Sequence, residues 1–228
     1  MLPAGAEVSW GTFQPFSDVP QDLDLLIIGF GNSLFANLVD DRLLAAARSA
    51  KRAVGIFGTQ YRERLSAEAM ARLVDSLTHW FARYRDDISF YGRDRANVSH
   101  LGDWLINSFA MTRGTDERFL KIGQEIWQNL PLDRTIQFIQ RHRRVHSDRI
   151  HPLLCALTSA EEVSFTEQRE MEQGEVSGKF RSMLIDIFDR TYPENLPWRV
   201  DRERVAGYKT LVRANTEVLR QKLAEFLR

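Results

Sequence analysis

The feature that most constrains this chain is a repeated pairing of a short, unbroken apolar run with a helix-period pattern. "LDLLIIGF" (23–30) is apolar without alternation and ends among Gly29, Gly31 and Asn32. Such a run fits a strand buried on both faces, as strands of a parallel sheet are. Residues 33–50 then place Leu34, Leu38, Val39, Leu43 and Leu44 at helical spacing. "AVGIFGT" (53–59) repeats the strand pattern. Ser66 suits the N-cap of a helix over 66–84, with Met70, Leu73, Val74, Leu77, Trp80, Phe81 and Tyr84 on its apolar face. "DISFYG" (87–92) reads as a third strand. Strand, helix, strand, helix, strand predicts an α/β fold with parallel, Rossmann-like layers and right-handed crossovers.

Beyond Gly102 the signals are shorter. "DWLINSF" (103–109) fits a short strand, and 119–127 and 132–140 fit helices. Residues 143–147 and 161–167 fit strands, separated by a helix with Pro152 in its first turn, where a missing N–H costs little. A polar loop (167–179) leads to a helix carrying Phe180, Met183, Leu184, Ile187 and Phe188. A last helix from about 202 aligns Val205, Tyr208, Leu211, Val212, Leu219, Leu223 and Phe226. The expected organisation is an irregular segment over 1–22, one α/β lobe over 23–115, and a second over 116–228 that includes the terminal helix.

Composition sets the class. The chain has 228 residues, 43% apolar and 27% charged, enough to build a real core. Its formal net charge is zero, which gives no electrostatic case for nucleic acid. No apolar stretch is long enough to span a bilayer, and no basic-then-apolar leader precedes the first strand. One cysteine, Cys155, excludes an intrachain disulfide and fits a reducing, cytoplasmic setting. Its neighbours are leucine and alanine, so a buried, inert thiol is expected.

Ligands of open α/β sheets bind outside the carboxyl ends of the strands. After the first strand comes a glycine-rich turn into a helix, where Gly31, Asn32 and Ser33 could meet an anion. After the second come Arg62 and Arg64, and after the third Arg93 and Asp94. After a later strand comes "HSDRIHPLLCAL" (146–157), with Arg149 and His151 crowded before an apolar helix. Arginine forks suit carboxylate and phosphate, and histidine suits proton transfer near neutral pH. His142, His146 and His151 lack partners at zinc-site offsets, and no metal or cofactor is expected. Each group also has a structural explanation: a tight turn at Gly31, a solvated ion pair at Arg93–Asp94, an exposed His146.

Three of these segments carry a resemblance to the polysaccharide pyruvyl transferase family. They are "LLIIGFGNSLF", "ISFYGRD" and "VHSDRIHPLLCALTSAEEVSFTE", the last similar to a family segment of the form Ser-x-Arg-Leu-His followed by an apolar helix and a strand. A lysine turn into a helix often follows, like "SGKFRSML" at Lys179. The resemblance implies a fold like that of two-lobed, B-type glycosyltransferases, one lobe reduced. It implies a transferase of polysaccharide biosynthesis that moves the pyruvyl group of phosphoenolpyruvate onto a sugar acceptor as a ketal. It assigns His151 as general acid/base, Arg149 to the donor's phosphate or carboxylate, Arg93 (with Asp94) as a second clamp, and Lys179 as a further anion contact. Two departures stand out: only 95–146 separates the Arg-Asp pair from the Arg-x-His turn, and Asn97 replaces a serine. A non-catalytic binding or scaffold relative and a nucleotide-sugar glycosyltransferase stay open as alternatives, as does a homo-oligomer.

Overall fold

The computed structural model describes residues 6–12, 19–20, 22–35, 38–123, 131–169 and 174–227. The chain forms two compact units, Met1–Leu101 with Asn215–Arg228, and Gly102–Ala214. The boundary expected at 115 thus falls at 101, and the terminal helix is divided between the units. Each unit holds one four-stranded sheet, and the two sheets with their helices make an α/β fold of Rossmann-like kind.

In the first unit, β1 (Leu26–Leu34), β2 (Ala53–Thr59), β3 (His79–Ala82) and β4 (Val98–His100) lie in sequential order, all parallel. The parallel pairing of the first two strands is as expected. The helix α1 (Asp41–Ser49) starts later than 33, because β1 runs on to Leu34 beside β2 through two irregularities. Asp40 then caps the helix, its carboxylate accepting from Leu43 N at 2.9 Å. Ser66 caps α2 (Ala67–Ser76) as expected, accepting from Ala69 N at 3.0 Å.

Two assignments change here. The helix expected over 66–84 stops at Ser76, and His79–Ala82 is the third strand, buried at every position. A continuous buried apolar run has no period that separates helix from strand. Residues 87–92 are not a strand but a short helical turn α3 (Arg85–Asp87) running into a π-helical turn, Ile88–Gly92. The cause is Asp87, which is wholly buried and accepts from Thr59 N, Thr59 Oγ1, Arg62 Nη2 and Tyr84 N. Those bonds hold the chain in a turn.

Alternation along β2 divides this core. Ala53 and Phe57 face Leu43, Leu44, Met70, Leu73 and Val74 of α1 and α2, with Trp80 stacked on Phe57. Val54 and Phe81 point the other way and are covered by Leu219, Leu223 and Phe226 of α7 (Arg202–Phe226).

In the second unit, β5 (Asp116–Ile122), β6 (His142–Ser147) and β7 (Glu162–Phe165) are parallel, and β8 (Trp198–Arg199) closes the edge antiparallel. Residues 104–108 form a 3₁₀ turn rather than a strand, capped by the buried Asp103. Residues 116–122 are a strand where a helix over 119–127 is expected; 124–130 lie outside the described residues. Phe119 is 56% exposed, so its apolar character misleads. The helices α4 (Leu132–Arg141), α5 (Ile150–Ala156) and α6 (Lys179–Phe188) follow the expected pattern. In α7, Val205, Tyr208 and Val212 are buried, whereas Leu211 faces out at 43% exposure.

Candidate functional site

The carboxyl end of β6 makes the tightest chemical arrangement in the second unit. Ser147 is fully buried, and its hydroxyl both accepts from Arg149 N (2.9 Å) and donates to Arg149 O (2.8 Å). These two bonds fold the chain back within three residues. Ser147 does not cap α5; it satisfies Arg149 N, one residue before the helix begins. Asp148 N donates to Ile122 O at the end of β5 (3.3 Å), and the Asp148 carboxylate lies 3.6 Å from Arg149 Nε. His151 is half-buried in the first turn of α5. Behind it Pro152 to Leu157 are all buried, so the turn is rooted in the core.

The neighbouring strand end supplies what the sequence did not single out. Glu167, just past β7, is 5% exposed. One of its oxygens accepts from Ser177 Oγ (2.6 Å) and Gln168 N (3.3 Å), the other from Phe180 N (3.1 Å) and Arg181 N (3.4 Å). Phe180 and Arg181 carry N–H groups of the first turn of α6, which have no intrahelical acceptor. Glu167 is therefore a helix cap delivered from eleven residues upstream, a position no local capping pattern marks. Burial pushes its carboxyl above the ordinary range, while the Ser177 and backbone donors pull the other way. Lys179, at the start of α6, donates to the side-chain oxygen of Gln168 and is held at this same edge. Arg169 forms a two-pronged ion pair with Glu194, whose carboxylate also accepts from Glu167 N.

His146 is not simply exposed. Its Nδ1 lies 2.9 Å from Ser164 Oγ and its Nε2 3.2 Å from Thr166 Oγ1. Thr166 donates its proton to Asn195 Oδ1 (2.5 Å), so its oxygen must accept from His146 Nε2–H. Nδ1 then accepts from Ser164. Burial lowers the His146 pKa, in keeping with this neutral tautomer. Cys155 is buried as expected, and burial pushes its thiol up to about 12.

The other expected residues belong to the first unit. Arg93 and Asp94 are exposed, in a turn with Asp94 at φ 65°, after the π-helical turn and not after a strand. The positional argument for them therefore lapses. Gly31, Asn32 and Ser33 continue β1 instead of turning into a helix, and the side chains of 30–33 lie outside the described residues. Arg62 is engaged: its Nε donates to Thr59 (3.0 Å), Nη1 to Asp86 (3.4 Å) and Nη2 to Asp87 (2.8 Å).

Among the described residues no group of three His, Cys, Asp or Glu could hold a metal ion, and no helix is long and apolar enough to cross a membrane. Family models, curated proteins and solved structures give no match to the chain.

Proposed function

We propose that this protein transfers the pyruvyl group of phosphoenolpyruvate to a sugar. The observation that carries the proposal is the Ser147–His151 turn: a half-buried histidine and an arginine held at the carboxyl end of a parallel strand, with the helix behind them fully buried. Lys179, at the end of the adjacent strand's loop, adds a second cation. Arg93 enters only through the resemblance.

In this scheme His151 gives a proton to the methylene carbon of phosphoenolpyruvate, and positive charge develops at C2. A sugar hydroxyl attacks C2, the C2–O bond to phosphate breaks, and a second hydroxyl closes the ketal. One hydroxyl proton returns to His151, and the other leaves with phosphate. Arg149 and Lys179 hold the donor's carboxylate and phosphate, where charge builds on the leaving group. A nucleotide-sugar donor is less well served. The helix N-terminus that would take its diphosphate is already filled by the Glu167 carboxylate.

The test is phosphate release from phosphoenolpyruvate with a panel of glycan precursors, run on wild type and His151→Ala. Turnover should fall about 10²–10⁴-fold, and the melting temperature should stay within about 2 °C. Equal turnover in the variant, or no phosphate release by wild type with any acceptor, would sink the proposal.

A further inference from the structure

The amino edge of the first sheet holds a cleft of about 370 Å³, a size found among small-molecule sites. Its lining comes from the last turns of α1 and α2, the first residue of β2 and the residue before β3. Ala47, Ala50 and Ala53 make the room, because their side chains stop at a methyl group. Arg48, Lys51 and Arg72 supply cations, and Asp75 supplies the one carboxylate among the described lining residues.

Charge around this cleft is uneven. Asp75 pairs with Arg95, and Lys51 pairs with Asp24 at 2.7 Å. Arg48 and Arg72 are exposed, and among the described residues neither makes a hydrogen bond or an ion pair. Arginine near the end of a helix often serves the last carbonyls. Here other side chains do so. Ser49 Oγ donates to Ala46 O (2.9 Å), Ser76 Oγ to Leu73 O (2.6 Å), and Asn97 Nδ2 to both Val74 O (3.1 Å) and Leu77 O (3.0 Å). The two helix ends together amount to about one negative charge, which falls off within a turn. Two full guanidinium charges exceed it, so the cleft favours an anion. Thr78 adds a donor: its hydroxyl accepts from Ala53 N (3.1 Å), which leaves its own proton for an acceptor in the cleft.

We propose that this cleft binds a phosphate ester. Guanidinium forks match phosphate oxygens in both geometry and charge. A bare phosphate would leave most of the cleft to water, whereas the alanine methyls offer an organic group an apolar surface to cover. Ligands of open α/β sheets bind at the carboxyl ends of the strands. This cleft is at the amino ends of β2 and β3, so it is a second site, and it does not depend on the pyruvyl-transfer proposal.

The experiment measures binding of glucose 1-phosphate and inorganic phosphate by calorimetry, on wild type, Arg48→Gln, Arg72→Gln and the control Arg52→Gln. Arg52 is exposed at the same edge but does not line the cleft, so its loss removes the same charge without touching the site. Wild type should bind glucose 1-phosphate more tightly than inorganic phosphate. Arg48→Gln and Arg72→Gln should each weaken binding about tenfold or more, as the loss of a charge-assisted contact does. Arg52→Gln should change it less than about twofold, because salt screens an exposed charge outside the site. All three variants should melt within about 2 °C of wild type. Co-sedimentation with phosphatidylcholine vesicles, with and without phosphatidate, separates the sources of the ester. Capture by phosphatidate vesicles alone, lost in Arg48→Gln and Arg72→Gln, supports the site and assigns the ester to a lipid. Wild type that binds neither glucose 1-phosphate nor phosphatidate vesicles overturns the proposal, as does equal weakening by Arg52→Gln. Equal affinity for inorganic phosphate overturns the organic part, and a clear drop in melting temperature on losing Arg48 or Arg72 makes that arginine structural and overturns the site.

Discussion

Replacing Glu167 with alanine should cost the second unit far more than its surface-like position after a strand suggests. The change removes the cap of α6, worth about 1–2 kcal/mol. It leaves the buried Ser177 hydroxyl without its 2.6 Å acceptor, a further loss of about 1–3 kcal/mol. One buried methylene, Cγ, adds about 0.8 kcal/mol. Releasing a carboxyl that burial disfavours gives part of this back. The net expectation is a loss of about 3 kcal/mol, read as a lower urea midpoint and a melting temperature lower by roughly 6–12 °C. Glu167→Gln is the comparison. Its amide oxygen can still accept from Phe180 N and Arg181 N, and its NH₂ can donate to the Ser177 oxygen. Only the weak Gln168 N bond at 3.3 Å is lost, so glutamine should cost about 1 kcal/mol. An alanine variant that melts within a degree or two of wild type would refute the remote cap, and a glutamine variant as unstable as alanine would refute its geometry.

Two other outcomes follow from buried groups. Burial, with the Lys222 charge adding to it, holds the His79 imidazole down at about 4, against an ordinary value near 6.5. Between those two values the unfolded chain binds the extra proton. Stability should therefore fall as pH drops from about 6.5 to 4, by up to roughly 3 kcal/mol at 1.36 kcal/mol per unit. His79→Gln should lose that part of the slope in pH-dependent urea titrations, and an unchanged slope would count against it. Gly102 sits at φ 85°, and a β-carbon there would collide with the Val212 side chain and lie 3.2 Å from the Tyr208 hydroxyl. That hydroxyl accepts from Asp103 N at 2.8 Å. Gly102→Ala should cost about 2–4 kcal/mol through strain and overpacking, measured by chemical denaturation. A loss under about 0.5 kcal/mol would mean that α7 yields there.

Where periodicity and a local cap agreed, the sequence was legible. β2 lies at the expected residues, and Ser66 caps the expected helix. The turn before α5 was visible because polar residues abut a buried run. The errors share a cause: each depended on contacts distant in sequence. Trp80 and Phe81 fit a helical face, yet β3 is chosen by pairing with β2 and β4. "DISFYG" has strand composition, but one buried carboxylate reaching Thr59 and Arg62 bends it into a turn. The start of the helix expected over 119–127 is instead a strand, β5, chosen by its pairing with β6. Glu167 gave no signal, because Ser177, Phe180 and Arg181, the donors that make it a cap, lie ten to fourteen residues away.

The terminal helix carries a consequence for the protein's synthesis. Val54, Phe81 and Leu101 are made early, but the residues that cover them, Leu219, Leu223 and Phe226, come after the whole of Gly102–Ala214. At about 5–20 residues per second, the interval is on the order of ten seconds. Throughout it the nascent first unit presents one apolar sheet face to water or to whatever chaperone waits at the ribosome. The second unit, continuous in sequence, has no such delay. The order of translation and the order of folding should therefore run opposite, with the unit begun first finished last.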